Sequence, residues 1–245
     1  MLELQTLPSS CASRRSDPTC ARCDARPHSV CGALSPENLL KLDALAEGMT
    51  YSPGQTLVHE GDAADHLFNV TSGSVRVYKL LADGRRQITG FLFAGDFLGL
   101  AAGDRHAFTA EAIEPSTACR FRRGEYQALV RETPDLERAL FARARHELAA
   151  AQNQMLLLGR KTAQERIASF LLDLPSHDPL REAPDGHVRL PMTRTEIADY
   201  LGLTIETVSR VLTKLKTAGV VRLLALNELR IERPERLRAI AEGEA

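Results

Sequence analysis

The feature that most constrains the fold is a helix-turn-helix pattern over residues 193–219, TRTEIADYLGLTIETVSRVLTKLKTAG. Ala198 lies four residues before Gly202, and Val208 follows this glycine by six residues. The small alanine lets two helices approach closely, the glycine can take the tight turn between them, and the valine can fill their shared core. Thr204 is a suitable N-cap for the second helix. The pattern therefore predicts two short helices, the second of which would enter the major groove of DNA.

The exposed face of that second helix carries the residues that we predict to contact base edges, Glu206, Ser209 and Arg210. Arginine can donate to guanine O6 and N7 together, glutamate can accept from cytosine N4, and serine can reach a base or a phosphate. The alternative is that Glu206 and Arg210 form an ordinary i,i+4 ion pair on a solvated helix face. Phosphate contacts, which position a protein without reading sequence, are predicted for Arg194, Lys214 and Lys216.

The helix-turn-helix belongs to a larger unit that we assign to residues 161–245. A helical segment, TAQERIASFLLDL, precedes it and is followed by a proline-rich polar loop. Two short strands, VVRLLA and ELRIE, follow it and turn at Asn227. This order of elements predicts a winged helix-turn-helix domain.

The segment before it changes from a β pattern to a helical one. From about residue 51 to 121, stretches such as GSVRVYKL and RQITGFLF alternate or cluster β-branched and aromatic residues between glycine-containing turns. Such spacing predicts a compact antiparallel β-roll, to which we assign residues 34–124. It opens with a short helix that has Ser35 as N-cap and Pro36 at its first position, ending near Gly48. The fold class is therefore α+β.

Residues 125–160 are predicted to form a long dimerisation helix. Its leucines, alanine and methionine recur at spacings of three, four or their sums, which makes one apolar stripe over several turns. The alternative is that this stripe packs against its own domain, but its length and a small residue that permits close approach favour a second copy of the chain. The predicted interface residues are Leu140, Leu148, Ala151, Met155 and Leu158.

Four cysteines are candidate ligands for a metal. Cys20, Cys23 and Cys31 stand in an irregular arm of residues 1–33, and Cys119 lies far away in a strand segment. Cytosolic thiols are kept reduced, so grouped cysteines there indicate metal or redox chemistry before disulfides. The total of five is also odd, and we interpret Cys11 as a spare, exposed thiol.

Spacing alone leaves the chemistry of these cysteines open. A structural zinc site, with Cys119 or His28 as its fourth ligand, and an iron–sulfur site suit the sulfur donors equally well. A thiol–disulfide switch at Cys20 and Cys23 is a third interpretation. Cys119 taken alone would be a simple buried residue.

Composition and missing motifs narrow the class of protein. The chain of 245 residues has room for two cores and carries a formal net charge of −1. It has no apolar run of about 18 residues and no secretory signal at its start, so we expect a soluble, cytoplasmic protein. No catalytic triad, nucleotide loop or C-x-x-C near a βαβ pattern is found, which favours a regulator over a cysteine-based oxidoreductase. A metal-free regulator controlled by its abundance or by another ligand remains the alternative.

The chain resembles the cyclic-AMP receptor protein (CRP) superfamily of bacterial transcription regulators, and in particular its fumarate-and-nitrate-reduction (FNR) branch. The likeness runs from the cysteine arm to Glu232 and is strongest over QITGFLFAGDFLGL, MLLLGRKTAQERIASFLLDL and MTRTEIADYLGLTIETVSRVL. The E-x-x-S-R pattern of Glu206, Ser209 and Arg210 is similar to the recognition helix of that branch. The C-x2-C-x7-C spacing is similar to its FnrN-like subgroup.

The resemblance implies a cofactor and partners. It implies an oxygen-labile [4Fe–4S] cluster held by the four cysteines, a homodimer, and double-stranded DNA with an inverted repeat like TTGAT-N4-ATCAA as the target. It also implies a contact with RNA polymerase near a hairpin turn at Asp83, Gly84 and Arg85, for which an ordinary solvated turn is the alternative. Cyclic-AMP binders have a Gly-Glu pair where this chain has Gly99-Leu100, so we expect no cyclic nucleotide and interpret the roll as a retained scaffold.

Overall fold

The computed structural model describes residues 19–100, 103–178 and 186–244, and it confirms the α+β architecture. The N-terminal part consists of a helix followed by eight short strands. These are α1 (Pro36–Leu45), β1 (Glu47–Tyr51), β2 (Thr56–Val58), β3 (His66–Ser72), β4 (Val75–Leu80), β5 (Arg86–Leu92), β6 (Phe97–Leu98), β7 (Thr109–Ala112) and β8 (Ser116–Arg122).

Two four-stranded sheets form the predicted antiparallel roll. The first has the order β1-β8-β3-β6, the second has the order β2-β7-β4-β5, and every pairing is antiparallel. Alternation along β3 directs Phe68 and Val70 between the sheets, whereas Leu67 packs outward with the arm and the neighbouring helices. On β8, Cys119 and Phe121 also belong to that outward-facing cluster. The first sheet is therefore covered on its outer face, and Cys119 lies under that cover.

A tight turn between β3 and β4 makes the roll sensitive at one glycine. Gly73 has a φ of +79°, and a Cβ there would lie 2.6 Å from the Pro115 carbonyl oxygen. Gly84, in the hairpin between β4 and β5, has a similar φ of +84° but open space around it. We expect Gly84→Ala to lower the free energy of unfolding by about 1 kcal/mol through backbone strain alone, and Gly73→Ala by about 2 kcal/mol because the neighbouring backbone must also move. Urea denaturation measures both losses, and equal losses would contradict the steric part of this prediction.

The predicted single helix over residues 125–160 is wrong in its first part. The structure has α2 (Arg123–Glu132) and α3 (Pro134–Arg160), separated by Thr133. Proline lacks an N–H and disfavours the α conformation in the residue before it, so Pro134 ends one helix and begins the next. Helix α1 also ends earlier than predicted, because β1 has already begun at Glu47.

The C-terminal part is the predicted winged helix-turn-helix with two additions. Its elements are α4 (Ala163–His177), β9 (His187–Arg189), α5 (Arg194–Leu201), α6 (Ile205–Thr217), β10 (Val221–Ala225), β11 (Glu228–Ile231) and α7 (Pro234–Glu242). Strand β9 extends the wing to three strands in the order β10-β11-β9. Helix α7 packs against α4. Among the described residues, no helix is both long and apolar enough to span a membrane.

Candidate DNA-binding surface and cysteine site

The first helix of the helix-turn-helix, α5, begins with a reciprocal cap. The Thr193 hydroxyl accepts from the Glu196 backbone N–H at 3.2 Å, and Glu196 Oε2 accepts from the Thr193 N–H at 2.7 Å. Two of the donors that a helix start leaves unpaired are thereby satisfied. Glu196 is only 3% exposed, so this carboxylate is part of the core of the motif as well as its cap.

The turn and core of the motif are arranged as the sequence predicts. Gly202 takes a left-handed conformation with φ of 62° at the end of α5, and its N–H donates to the Ala198 carbonyl. Ala198, Leu201 and Val208 are buried in one apolar cluster. Thr204 caps α6 by accepting from the Thr207 N–H at 3.3 Å. The angle between the two helices is therefore set by small and apolar residues at the crossing.

The predicted base-reading residues share the free side of α6. Glu206 and Arg210 are exposed and Ser209 is half-buried. Arg210 Nη2 donates to Thr207 Oγ1 at 3.2 Å, one turn back along the helix. The Glu206 carboxylate accepts from its own backbone N–H and from the Thr204 hydroxyl, and these bonds together with the charge of Arg210 lower its pKa. Glu206 thus stays ionised and available as an acceptor.

The predicted phosphate-binding residues belong to two helices, α5 and α6. Lys216 is exposed in the last turn of α6, and Arg194 is half-buried in the first turn of α5. Lys214 Nζ donates to Gln164 Oε1 of α4 at 2.7 Å, so its ammonium group is tied to the start of that helix. Contact of these three cations with a DNA backbone stays a prediction.

The exposed apolar stripe of α3 differs by one residue from the prediction. Leu140 packs against the cluster of its own domain, whereas its neighbour Phe141 is 67% exposed. Leu148 and Met155 follow at intervals of seven residues and are 61% and 66% exposed. Ala151 is exposed between them, and Leu158, further along, is half-buried. A seven-residue period with small residues between large ones is the pattern of a helix that packs along a second helix.

The described part of the cysteine arm is a chain of three short 3-10 turns, Thr19–Arg22, Arg26–His28 and Val30–Ala33. The Ser29 hydroxyl caps the last of them by accepting from the Cys31 N–H at 3.2 Å. The Cys20 N–H donates to Asp43 Oδ1 of α1 at 2.9 Å. These bonds, together with apolar contacts of Val30 and Leu34, hold the arm over the outer face of the first sheet.

All four candidate cysteines are free thiols, and each lies near others of the set under the arm. Cys20 and Cys31 are buried, and Cys23 and Cys119 are half-buried. Burial, with smaller contributions from the nearby Cys23 and Cys31, raises the pKa of Cys119 to about 11. Burial is also the main cause that raises the pKa of Cys20, with contributions from Asp43, Cys119 and Cys31. Raised pKa values keep the Cys20 and Cys119 thiols protonated at pH 7, and the thiols of Cys23 and Cys31 lie close enough to Cys119 to disfavour its ionisation.

The chemistry of this donor set fits an iron–sulfur cluster. Four cysteine thiolates are the usual ligands of a [4Fe–4S] cluster, and metal binding displaces thiol protons that burial otherwise retains. Within the described ranges, no group of three or more His, Cys, Asp or Glu side chains is arranged, as it stands, to hold a metal ion. Cys11 lies outside the described residues.

A buried amide connects the cysteine site to α3, and the sequence analysis did not identify it. Asn69 is 2% exposed, and its side-chain amide lies 3.8 Å from Cys31 Sγ. In its better-bonded orientation, the amide nitrogen donates to the Asp96 carbonyl at 3.1 Å. The Asp96 carboxylate pairs with Arg143 of α3. Only the fold brings these residues together, since no local pattern marks them.

Two further predictions concern the roll. Leu100 packs against the apolar cluster under the arm, and the preceding Gly99 carbonyl accepts from Arg123 Nη2 at 2.9 Å. At the hairpin tip, Asp83 Oδ2 accepts from Arg85 Nε at 2.7 Å, and bonds from the Arg85 backbone and side chain lower the pKa of Asp83. The expected lack of a cyclic nucleotide and the contact with RNA polymerase stay predictions.

Comparison with known proteins identifies relatives of both parts. The family model of the cyclic nucleotide-binding domain matches residues 49–133, and that of the Crp-like helix-turn-helix domain matches residues 165–240. The chain is 41% identical to the transcriptional activatory protein AadR of Rhodopseudomonas palustris, covering 89% of this chain and 91% of that protein. It is 39% identical to the transcriptional activator protein FnrL of Cereibacter sphaeroides, covering 83% and 84%. The structure of FixK2 from Bradyrhizobium japonicum matches with a TM-score of 0.74 at 39% identity, covering 80% of this chain and 96% of that one.

Proposed function

Because the chain belongs to the CRP/FNR family of DNA-binding transcription regulators, we propose that it is an oxygen-responsive regulator of anaerobic or microaerobic genes. It is a regulator and not an enzyme. In the proposal, Cys20, Cys23, Cys31 and Cys119 hold a [4Fe–4S] cluster, and a homodimer binds an inverted repeat resembling TTGAT-N4-ATCAA. What supports the proposal is that these four thiols, all buried or half-buried, lie near one another where the arm covers the first sheet. The cluster is inferred from this chain's own four cysteines.

Sensing, in this proposal, depends on how the arm is tied to the rest of the chain. When bound, the cluster supplies an oxygen-labile link among four thiolates. Three of these belong to the arm and Cys119 belongs to β8, so ligation by all four fixes the arm on the sheet. The Val30–Ala33 turn packs against α3, and Asn69 and Asp96 lead from Cys31 to Arg143 on the same helix. Loss of the cluster would free the arm from the sheet and remove contacts that hold α3 in place.

In the proposal, the position of α3 controls dimerisation, and dimerisation controls DNA binding. We propose that Phe141, Leu148 and Met155 form the interface with the partner, and that the small Ala151 lets the helices approach. A dimer would place two copies of α6 on half-sites about one turn of DNA apart. Once one α6 of a dimer has bound its half-site, the other α6 is at a high effective concentration near the second half-site. A weakened dimer loses this advantage, and its affinity for the inverted repeat falls.

The proposal includes activation of transcription through RNA polymerase. The Asp83–Arg85 hairpin tip is exposed to solvent. Relatives of this chain are named transcriptional activators. We therefore assign the tip as a polymerase contact, which alanine substitutions at Asp83 and Arg85 test by lowering transcription while DNA binding stays unchanged.

The decisive experiment for the cofactor compares Cys119→Ser with Cys11→Ser, since each removes one thiol. Protein purified without oxygen is expected to show visible cluster absorbance and about four iron atoms per chain. Cys11→Ser should keep both, whereas Cys119→Ser should lose both and bind DNA as weakly as the wild type does after exposure to air. The measurements are an ultraviolet–visible spectrum, iron and zinc counts, and DNA affinity before and after air.

Other outcomes identify the alternatives. One zinc ion per chain and no iron would establish a structural metal site. Oxygen-dependent loss of free thiols without any metal would establish a Cys20–Cys23 switch. Protein without iron or zinc whose DNA affinity is the same with and without oxygen would establish a metal-free regulator.

A further inference from the structure

The C-terminal end of α5 is capped by side chains from three other elements. A helix leaves its last carbonyls without partners inside the helix. Gln87 Nε2 of β5 donates to the Asp199 carbonyl at 2.8 Å, and Gln154 Nε2 of α3 donates to the Tyr200 carbonyl at 3.1 Å. Arg166 Nη1 of α4 donates to the Leu201 carbonyl at 2.8 Å. The roll and the dimerisation helix therefore both bond directly to the helix-turn-helix.

The N-terminal end of α5 is held by the roll as well. The guanidinium of Arg76 on β4 pairs with Glu196, the capping carboxylate of α5, and with Glu111 on β7. All three side chains are largely buried. A buried carboxylate that loses its cation is strongly unfavourable, so undocking α5 from the roll costs more than an exposed ion pair would suggest.

Apolar packing fills the space between these two ends. The ring of Tyr200 on α5 lies 5.2 Å from that of Phe91 on β5 and 5.8 Å from that of Phe170 on α4. Phe93, at the end of the roll, belongs to the main core cluster of the winged domain. Arg86 Nε donates to Asp199 Oδ2 at 2.9 Å beside this aromatic group. The docking surface is thus continuous rather than a set of isolated contacts.

This docking leaves the reading helix free. Helix α6 packs against α4, α5 and β10, and Glu206 and Arg210 face solvent. Because α5 and α6 share one core, fixing the position of α5 also fixes the direction in which α6 points. Two readers on one DNA must match both the spacing and the rotation of their half-sites, so a fixed α5 favours binding.

We infer that Gln87 and Gln154 are positioning residues for DNA recognition, because they hold the helix-turn-helix in the orientation that matches the half-site spacing. Gln154 lies beside Met155 of the exposed stripe, so the same helix that carries the dimer interface also sets the direction of the reader. The inference rests on DNA binding by the winged domain and, for its dimer, on the proposed function. It does not depend on the cluster.

The test is the double variant Gln87→Ala, Gln154→Ala, with Asn153→Ala as the matched control. Asn153 is an exposed amide on the same helix, outside the seven-residue stripe. DNA affinity is measured for inverted repeats with spacers of three, four and five base pairs and for a single half-site. All proteins are studied in whichever state of the wild type binds DNA, so a failure of the oxygen-sensing proposal leaves this test intact.

The wild type and Asn153→Ala are expected to prefer one spacer by about tenfold or more, since one base pair changes both distance and rotation between half-sites. In the double variant this preference should shrink to about threefold or less, with affinity for the single half-site nearly unchanged. Sedimentation and thermal unfolding monitor the dimer and the fold. The inference would be overturned if the double variant kept the spacer preference of the wild type or bound the preferred inverted repeat more tightly than the wild type does. It would also be overturned by a loss of single half-site binding together with a lower melting temperature, which would indicate a purely structural role.

Discussion

Leu148→Glu is expected to convert the dimer to a monomer and to lower the affinity for the inverted repeat by about 10²- to 10⁴-fold, the usual range of a two-site advantage. Leu148 is 61% exposed in one chain and lies between Phe141 and Met155 at intervals of seven residues. In a two-helix interface the two substituted side chains would bring two carboxylates together away from water. That arrangement is unfavourable both through desolvation and through like-charge repulsion. Sedimentation gives the mass, and fluorescence anisotropy gives the DNA affinity.

Leu156→Glu is the matched control for this substitution. Leu156 is on the same helix and 58% exposed, but it lies one residue past Met155 and so on a neighbouring face. It introduces the same charge at the same level of exposure and should leave the dimer intact. Equal loss of the dimer in both variants would show that the interface is not this stripe. Retention of the dimer in Leu148→Glu would place the interface elsewhere on the chain.

The helix-turn-helix could be predicted almost completely from the sequence because its determinants are local. Ala198, Gly202, Thr204 and Val208 act within one short segment, through a close crossing, a left-handed turn, a cap and a core contact. Each of these has a residue preference that can be recognised without tertiary information. The structure confirms all four. By contrast, β9 contributes only three residues, which gives too little periodicity to detect.

The apolar stripe of α3 shows that helical periodicity alone could not distinguish exposed residues from residues that pack on their own domain. Leu140 and Phe141 are adjacent, both apolar, and compatible with a helical stripe. The packing of α3 distinguishes them, because Leu136 is buried in the domain core and Leu140, one turn further along, lies on the same side of the helix. The sequence prediction of one helix from residue 125 did not include this separate start at Pro134. Tertiary packing thus decides which apolar residues are left for a partner.

The four cysteines could be identified as candidate ligands from the sequence, whereas the residues around them could not. Three close cysteines and one in a strand suggested a shared site, and alternation along β8 directs Cys119 to the side that the arm covers. Asn69 and Arg143 could not be identified, since they are 38 residues from Cys31 and 47 residues from Asp96 respectively. The same holds for Gln87 and its contact with α5 across 112 residues. Contacts at such separations have no local sequence signal.

Arg210→Ala is expected to weaken binding to the inverted repeat by about 2–6 kcal/mol, since each of two half-sites loses a base contact worth about 1–3 kcal/mol. The reason is that Arg210 is exposed on α6, one turn beyond the Thr207 hydroxyl that orients its guanidinium. Binding to scrambled DNA should change little, because a base contact contributes mainly to specific affinity. Titrations of both DNAs at several salt concentrations measure the effect.

Lys216→Ala is the contrasting variant, because its ammonium group is predicted to contact phosphate rather than a base. It should weaken binding to specific and scrambled DNA alike and reduce the slope of log affinity against log salt by about one per half-site, whereas Arg210→Ala should reduce specific affinity most. Glu206→Ala should relax discrimination at a single base pair, since its ionised carboxylate faces solvent beside Arg210 as an acceptor. If Arg210→Ala instead weakened both DNAs equally, Arg210 would be a phosphate contact, and the reading of sequence would have to reside in other side chains of α6.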